Sequence, residues 1–516
     1  MKTQTNIIKI LTISVLSFFT AACTDLTEVP YTQLSATNFN NNLSQVEASV
    51  KGVYSSFQSI YDWRYEYFFQ EVTTDVGVVP TRAGGWNSAG EASLHEQTWD
   101  AQTIYIGRAY NIYSTAIGTA NFVLEQIKDN EKYKKEIAEV RFYRAFAYFD
   151  MLDLWGAVPI VTVSSQDPNN LAGNQPVAEQ RAKVFNFVEQ ELIAAIKDLP
   201  AKKEVASSYY PRAVKETAQT LLAKLYLNAE VWSGKPRWND CVIQCNEVIN
   251  SGSFQLTSKI TDSFVPQNQS LKEIIFSFVK TSLGKGLGFY QTGYQVELAY
   301  KYHMPVEGWG GFSVLQDHFE TYDKDDYRRS LILQGPQFLD DGTPLYIGAT
   351  RLKNGDPKNG QFVIYPVINF KDAPTNQGYK STKYQPDVNQ IGTNASNDVV
   401  VLRYADVLLT KAEAILRGGA DPKGETAASL INQIRARNFT PAKPIISPTL
   451  DDILNERNWE FSMEGKRRQD LIRFGKFSTL KYTFRVNYDA FRSVFPIPQT
   501  EIDKNPNLAQ NPGYQK

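Results

Sequence analysis

The stretch NERNWEFSMEGKRRQDLIRFGKF, residues 455–477, is the most strongly patterned in the chain. On a continuous helix Glu464 and Arg468 stand four residues apart and Arg467 and Asp470 three apart, so ion pairs can lace one side. Trp459, Met463 and Leu471 then fall beneath those charges as an apolar stripe. Read by itself, the block is an amphipathic helix whose surface pairs contribute about 0.3–0.5 kcal/mol each. The helical pattern around it runs from Leu450 to Phe474.

Working outward, VLRYADVLLTKAEAILRGG (401–419) and Glu425–Arg437 continue the helical character. Toward the N-terminus, Val46, Val50, Val53, Tyr54, Phe57, Ile60 and Tyr61 recur at 3.6-residue spacing. Further helices are predicted over Tyr65–Thr73, Tyr105–Lys128, Lys132–Trp155 (stopped by Gly156 and Pro159), Val184–Leu199, Arg212–Val231 and Trp238–Asn250. Paired helices of this size resemble tetratricopeptide-type hairpins, although no clean 34-residue period appears. Two stretches differ, 75–103 and 251–397. They are rich in Gly, Pro, Asn and Asp, with only EIIFSFV (273–279) and QFVIYPVI (361–368) β-like. Four prolines mark the tail from Val494 as irregular chain wrapping the surface. The expected fold is mainly α: a tetratricopeptide-like helical scaffold over about 40–255 and 400–480, a loop-rich insertion over about 251–397, minor β, and a Pro-rich tail at 494–516.

The 516 residues include 54 Lys+Arg and 55 Asp+Glu, a formal charge of −1. That balance argues against a nucleic-acid partner, which selects a basic excess. Three His and three Cys leave little material for metal or nucleophile chemistry, whereas 29 Phe, 28 Tyr and 8 Trp are plentiful. No G-x-S-x-G, H-E-x-x-H, Walker or EF-hand pattern occurs. Leu94-His95-Glu96-Gln97-Thr98 lacks the second His of a zinc helix, and Gly284, Gly286 and Gly288 precede no helix that would aim amides at phosphate. Cys241 and Cys245 share a helix face without further ligands nearby and read as small core residues. No catalytic residue, metal or cofactor is assigned. Carboxylates are numerous enough that a glycosidase-type acid/base pair stays open, but nothing singles one out.

The start, MKTQTNIIKILTISVLSFFTAA, has the basic n-region and short apolar run of a signal peptide over 1–22. The apolar part is too short to span a bilayer, which takes about 20 residues. Ala21-Ala22-Cys23 resembles a lipoprotein cleavage site, with Cys23 the lipidated first residue of the mature chain. Lasting anchorage needs more than one acyl chain. Removing 1–22 takes away Lys2 and Lys9 and no acid, so the mature chain is slightly more negative. The mature body reads as a single domain, 23–516.

With these residues quoted, the 455–477 block is seen to resemble the signature E-R-x-x-E-F-x-x-E-G-x-R-x-x-D-L-x-R-W-G of the SusD/RagB family of outer-membrane glycan-binding lipoproteins. Glu456, Arg457, Glu460, Phe461, Glu464, Gly465, Arg467, Asp470, Leu471, Arg473 and Gly475 match, and Phe474 replaces the Trp. EVRFYRAFAYFDMLDLWGAVPIVT (139–162), LLAKLYLNAEVW (221–232), VLRYADVLLTKAEA (401–414) and VFPIPQTEIDKNPNLAQNPGY (494–514) fit in order, so the resemblance spans the chain. It implies that these blocks are scaffold. It also implies a non-catalytic protein at the cell surface, lipid-anchored to the outer membrane, that captures oligo- or polysaccharide and delivers it to a SusC-like TonB-dependent transporter. The rival readings are a RagB-type peptide or glycopeptide carrier and, less in keeping with the sequence, a glycoside hydrolase.

Sugar rings need flat apolar faces bearing a polar handle, which Trp and Tyr supply, at about 1 kcal/mol per stacked ring. TTDVGVVPTRAGGWNSAGEASLHEQTWD (73–100) places Trp86 behind two glycines and beside Asn87, with Asp75 and Arg82 close in sequence; by the resemblance Trp86 is its stacking residue. Trp99, just before a helix, reads as structural. FYQTGYQVELAYKYHMPVEGWGGF (289–312) offers Trp309, whose glycine neighbours are expected to leave its faces uncovered, then Tyr290 and Tyr294. The glycan-binding set is therefore Trp86, Trp309, Tyr290, Tyr294, Asn87, Arg82 and Asp75.

Overall fold

Helix accounts for 49% of the described residues and strand for 9%, so the molecule is mainly α. The computed structural model describes residues 42–61, 64–82, 85–86, 89–128, 130–164, 180–281, 283 and 289–515. The leader 1–22, Cys23, Asn87 and the glycine run 284–288 lie outside the described residues.

The scaffold helices are α1 (Leu43–Gln58), α2 (Ile104–Ile127), α3 (Lys134–Leu154), α4 (Arg181–Asp198), α5 (Lys215–Leu227), α6 (Trp238–Asn250), α7 (Tyr404–Leu416), α8 (Ala427–Asn438), α9 (Leu450–Phe461) and α10 (Arg467–Arg473). Helix α1 buries Val46, Val50, Val53 and Phe57 on one face, and the Asn42 side chain accepts from the Ser44 N–H at 3.0 Å to cap its start. Helix α3 is buried on nearly every side from Ala138 to Leu154, because α1, α2 and α4 all pack on it. Consecutive helices continue the pattern, α5 on α6 and α7 on α8, in keeping with a hairpin scaffold. Cys241 and Cys245 are buried free thiols, as their spacing suggests.

Three sequence expectations move. Residues 401–403, read as helix, belong to strand β8 (Val399–Arg403), which pairs antiparallel with β2 (Ile274–Phe278). Both strands are buried throughout, and the β-branched run Val399-Val400-Val401 fits a pleated surface better than a helix turn. Phe278 packs edge-on against Phe57 at 5.6 Å, joining this ribbon to α1. Second, the tail does not merely wrap the surface. Phe495 and Ile497 alternate with prolines and are fully buried, the Phe495 ring lying 4.9 Å from those of Trp99 and Phe69.

Third, the 455–477 block is two helices. Met463 and Gly465 take φ of +67° and +68°, which ends α9 and starts α10 as a separate element. The break redirects the charges. Glu464 does not meet Arg468; it accepts from two nitrogens of Arg403 at 2.7 Å and pairs with Lys383. Arg403 also reaches Glu273 at 2.8 Å and Glu460 at 2.7 Å. Asp470 holds Arg457 at 2.9 Å and Arg473 at 2.6 Å, while Arg467 crosses to Asp75. These side chains are buried, so the predicted surface lacing is a core network.

The two excursions, which lend Asp75, Glu273 and Lys383 to that network, meet at a short ribbon just beyond Asp75. Strand β1 (Gly77–Val78) pairs antiparallel with β3 (Ser313–Val314). Two further short ribbons, β4 (Ile332–Leu333) with β7 (Lys380–Ser381) and β5 (Gly335–Pro336) with β6 (Val363–Ile364), build the remainder of the insertion. The described residues include no helix long and apolar enough to cross a membrane.

Candidate functional site

Phe289–Thr292 form a short 3-10 turn, and the Trp309 loop lies on it and on the residues just after it. The Trp309 N–H donates to Gln291 O at 2.7 Å, that of Gly310 to Tyr294 O at 2.8 Å, and that of Gly311 to Thr292 O at 2.8 Å. Trp309 itself is 40% exposed. Its glycine neighbours serve packing more than they uncover its ring. A Cβ at Gly308 would stand 2.1 Å from Tyr294 O, and one at Gly311 would stand 2.3 Å from the Trp86 ring. Gly310, at φ +62°, is the one that the turn itself requires.

Trp86 faces inward. It is 9% exposed, lies over Gly311, and donates its indole N–H to Trp309 O at 2.6 Å. Its place is the back wall of the Trp309 loop, so the expectation of a free stacking face on Trp86 is corrected: its ring is spent on the close approach of Gly311. Tyr290 and Tyr294 are corrected likewise. Tyr294 is fully buried, edge-on to Tyr302 at 5.3 Å, and Tyr290 is 4% exposed. The Tyr290 hydroxyl donates to Gln390 and accepts from the Asp387 N–H at 3.0 Å, which pins the 387–390 turn. Both tyrosines form the pedestal beneath Trp309 rather than its platform.

Arg82 is buried and saturated by backbone. Its Nε donates to Gly310 O at 2.7 Å, and its terminal nitrogens reach the carbonyls of Ala373, Pro374 and Gln377. Irregular chain leaves carbonyls without ladder partners, and a planar five-donor fork satisfies several at once. Burial pulls Arg82 down to about 10, still cationic at neutral pH. Lys380 stands beside it, donating to Phe312 O and Ser313 Oγ at 2.9 Å each. Burial, and the Arg82 charge after it, hold its ammonium well below the usual lysine range. Neither side chain has a carboxylate within ion-pair distance among the described residues. Asp75 is outside this cluster: both its oxygens take Arg467 nitrogens at 2.8 Å. Burial pushes its carboxyl up, but Arg467 outweighs that and holds it below the ordinary range.

The structure thus joins Trp86, Arg82, Tyr290, Tyr294 and Trp309 in one loop cluster, with Trp309 presenting its ring outward and Asp75 tied to the scaffold. Ser313, Gln377 and Lys380 hold the cluster together and went unnoticed in the sequence, where a lone Ser, Gln or Lys in a loop carries no signal. In QFVIYPVI the alternation of a strand holds: Phe362 and Ile364 are buried and Tyr365 is 48% exposed. Among the described residues no three His, Cys, Asp or Glu are grouped to hold a metal.

Comparison with known proteins gives two family models, described as "SusD family" over residues 272–514 and "Starch-binding associating with outer membrane" over 26–227. SusD-like protein P25 of Formosa agariphila is 27% identical, covering 95% of this chain and 96% of its own. Starch-binding protein SusD of Bacteroides thetaiotaomicron is 26% identical over 80% of this chain and 78% of its own. Among solved structures, surface glycan-binding protein A from Bacteroides thetaiotaomicron in complex with laminarihexaose superposes with a TM-score of 0.71 at 20% identity, covering 91% of this chain and 99% of that one.

Proposed function

This chain belongs to the SusD family, and on that premise we propose that it is a non-catalytic, cell-surface glycan-binding lipoprotein. It captures oligo- or polysaccharide on the loop cluster around Trp309 and passes it to a SusC-like TonB-dependent transporter. Anchorage is through a lipid on Cys23 to the outer membrane. The observation that carries the binding reading is the exposed Trp309 ring on a backbone fixed by three hydrogen bonds, a rigid apolar face of the kind that sugar C–H groups stack on. Relatives described as binding starch and as complexed with laminarihexaose support a glycan as the ligand class.

Arg82, a buried cation without a carboxylate partner among the described residues, lies beneath the Trp309 loop and donates to Gly310 O. Each stacked ring contributes about 1 kcal/mol, so affinity for one sugar is low and rises with chain length.

The test is retention in native affinity gels containing laminarin or starch. Trp309→Ala is expected to lose retention of whichever polysaccharide slows the native protein, with its melting temperature unchanged. Unaltered retention would remove Trp309 from the site. Peptide binding with no polysaccharide retained would replace the glycan reading with peptide uptake.

A further inference from the structure

A cleft opens on the helical scaffold between the start of α3 and the end of α4, with a volume of about 280 Å³. That is close to the lower end of small-molecule sites, about 300 Å³. The cavity beside Glu66 and Asp150, at about 30 Å³, has room for a water and nothing more. Both helices line the cleft at helical spacing. Lys134, Ala138 and Arg141 stand at i, i+4 and i+7 on α3, and Ala194, Lys197 and Asp198 at i, i+3 and i+4 on α4. The two alanines supply the space, and Ile137 adds an apolar wall. None of these residues belongs to the Trp309 loop cluster.

Three cations line this cleft, Lys134, Arg141 and Lys197, against Glu131 and Asp198, so one positive charge is in excess. Neither lysine has an ion pair among the described residues. Arg141 approaches Glu191 at 3.9 Å, but that carboxylate is already held by Arg144, whose Nε and Nη2 donate to its Oε2 at 2.9 and 2.6 Å. Arg141 Nε is buried and has no acceptor among the described residues. A buried donor left without a partner is costly, and a bound ion or ordered water is the usual remedy. An oxyanion suits a guanidinium best, because its oxygens accept from parallel N–H groups and cancel the charge as well.

We propose that the cleft between α3 and α4 is a second binding site, for a small molecule bearing an oxyanion, a carboxylate or a phosphate. The charged group is held by Arg141 with Lys134 and Lys197, and the uncharged body lies against Ile137 and the two alanines. The site does not depend on the glycan reading of the Trp309 loops. Free phosphate and an acidic sugar offer the cleft the same kind of charge and differ in the apolar contact that the sugar adds.

The test follows the melting temperature at pH 7 as sodium phosphate, sodium glucuronate or glucose is added at constant ionic strength. It compares the native protein with Arg141→Gln and with the double variant Lys134→Gln/Lys197→Gln. The expected result is a saturable rise with phosphate, with glucuronate or with both, and none with glucose. Arg141→Gln is expected to weaken that binding about tenfold to hundredfold, through loss of a charge-assisted pair. The double variant is expected to weaken it about fivefold. Both lysines are exposed, so the double variant keeps the native fold and alone decides if Arg141→Gln melts too low to titrate. A response to phosphate alone assigns the site to free phosphate, and one to glucuronate alone to a carboxylate-bearing ligand. No rise with either anion overturns the proposal, as does an equal rise with glucose. Binding within twofold of native by Arg141→Gln, or by the double variant, overturns it too, since the effect then owes nothing to these cations.

Discussion

Arg403 in the helical scaffold and Arg82 in the loop cluster are both buried arginines whose nitrogens are taken up by protein acceptors, yet the acceptors differ in kind. Arg403 meets Glu273, Glu460 and Glu464 at 2.7–2.8 Å. Burial alone would lower its guanidinium, but those carboxylates raise it well above the ordinary value. Arg82 meets only carbonyl oxygens and Ser313, and burial alone sets its direction, downward to about 10. The scaffold uses charge against charge to fix which helix and strand pack together. The loop cluster uses charge to satisfy backbone that has no regular partners, and keeps its positive charge uncompensated beside the exposed ring.

The largest effect that could break this contrast is on stability. Arg403→Met removes the cation that three buried carboxylates share, leaving them to Arg437, Arg328 and Lys383, and is expected to cost about 3–5 kcal/mol, read as a lower denaturation midpoint. Arg82→Met orphans carbonyls in a loop and should cost about 1–3 kcal/mol, with faster amide exchange confined to 308–313 and 373–378. Equal losses, with exchange spread over the scaffold in both, would erase the distinction.

A second comparison separates the two tryptophans. Trp86→Ala opens a cavity behind Gly311 and is expected to lose about 3 kcal/mol, lowering the melting temperature. Trp309→Ala should stay within about 0.5 kcal/mol of the native protein, because its ring is partly in solvent already. Matching melting temperatures for the two variants would show that Trp86 is not the back wall.

A further effect is on pH dependence. In the segment between α1 and α2, Glu66 is raised to about 7 by burial and then by Asp153, and Glu71 is raised to about 7 by burial. A carboxyl raised in the fold holds its proton more tightly there than in the unfolded chain. Its contribution is full below the ordinary value of 4.5 and is lost as pH rises through about 7. Glu464, paired with Arg403, runs the other way: burial raises it, its cations lower it further, and its contribution is lost as pH falls below the ordinary carboxylate range. Stability is thus expected to decline between about pH 5 and pH 7.5, and Glu66→Gln to flatten that slope. A Glu66→Gln melting curve that keeps the native slope would reject the assignment.

Much of the scaffold was legible because helical periodicity is local: α2, α3 and α6 fall within two residues of their predicted bounds. What periodicity could not show was the break at Met463 and Gly465, since Glu464 and Arg468 have helical spacing whether or not a helix joins them. Their real partners, Arg403 for Glu464 and the Ser493 carbonyl for Arg468, lie elsewhere in the chain. In the candidate site, the segments were legible and the side-chain directions were not. Trp86, Tyr290 and Tyr294 lie in the right loops but face inward, because each meets a backbone segment distant in sequence, as Trp86 meets Gly311.

The sequence by itself determined the family, the mainly helical class, the order of the helices and the two loop-rich excursions that meet at the site, since composition, spacing and motif order are one-dimensional properties. Only the tertiary structure decided which aromatic rings reach solvent. Exposure depends on what the rest of the chain brings against a ring, and in loops without a repeating geometry no local pattern encodes that; here Gly311 lets the Trp86 ring pack inward while Trp309, two residues earlier, is 40% exposed.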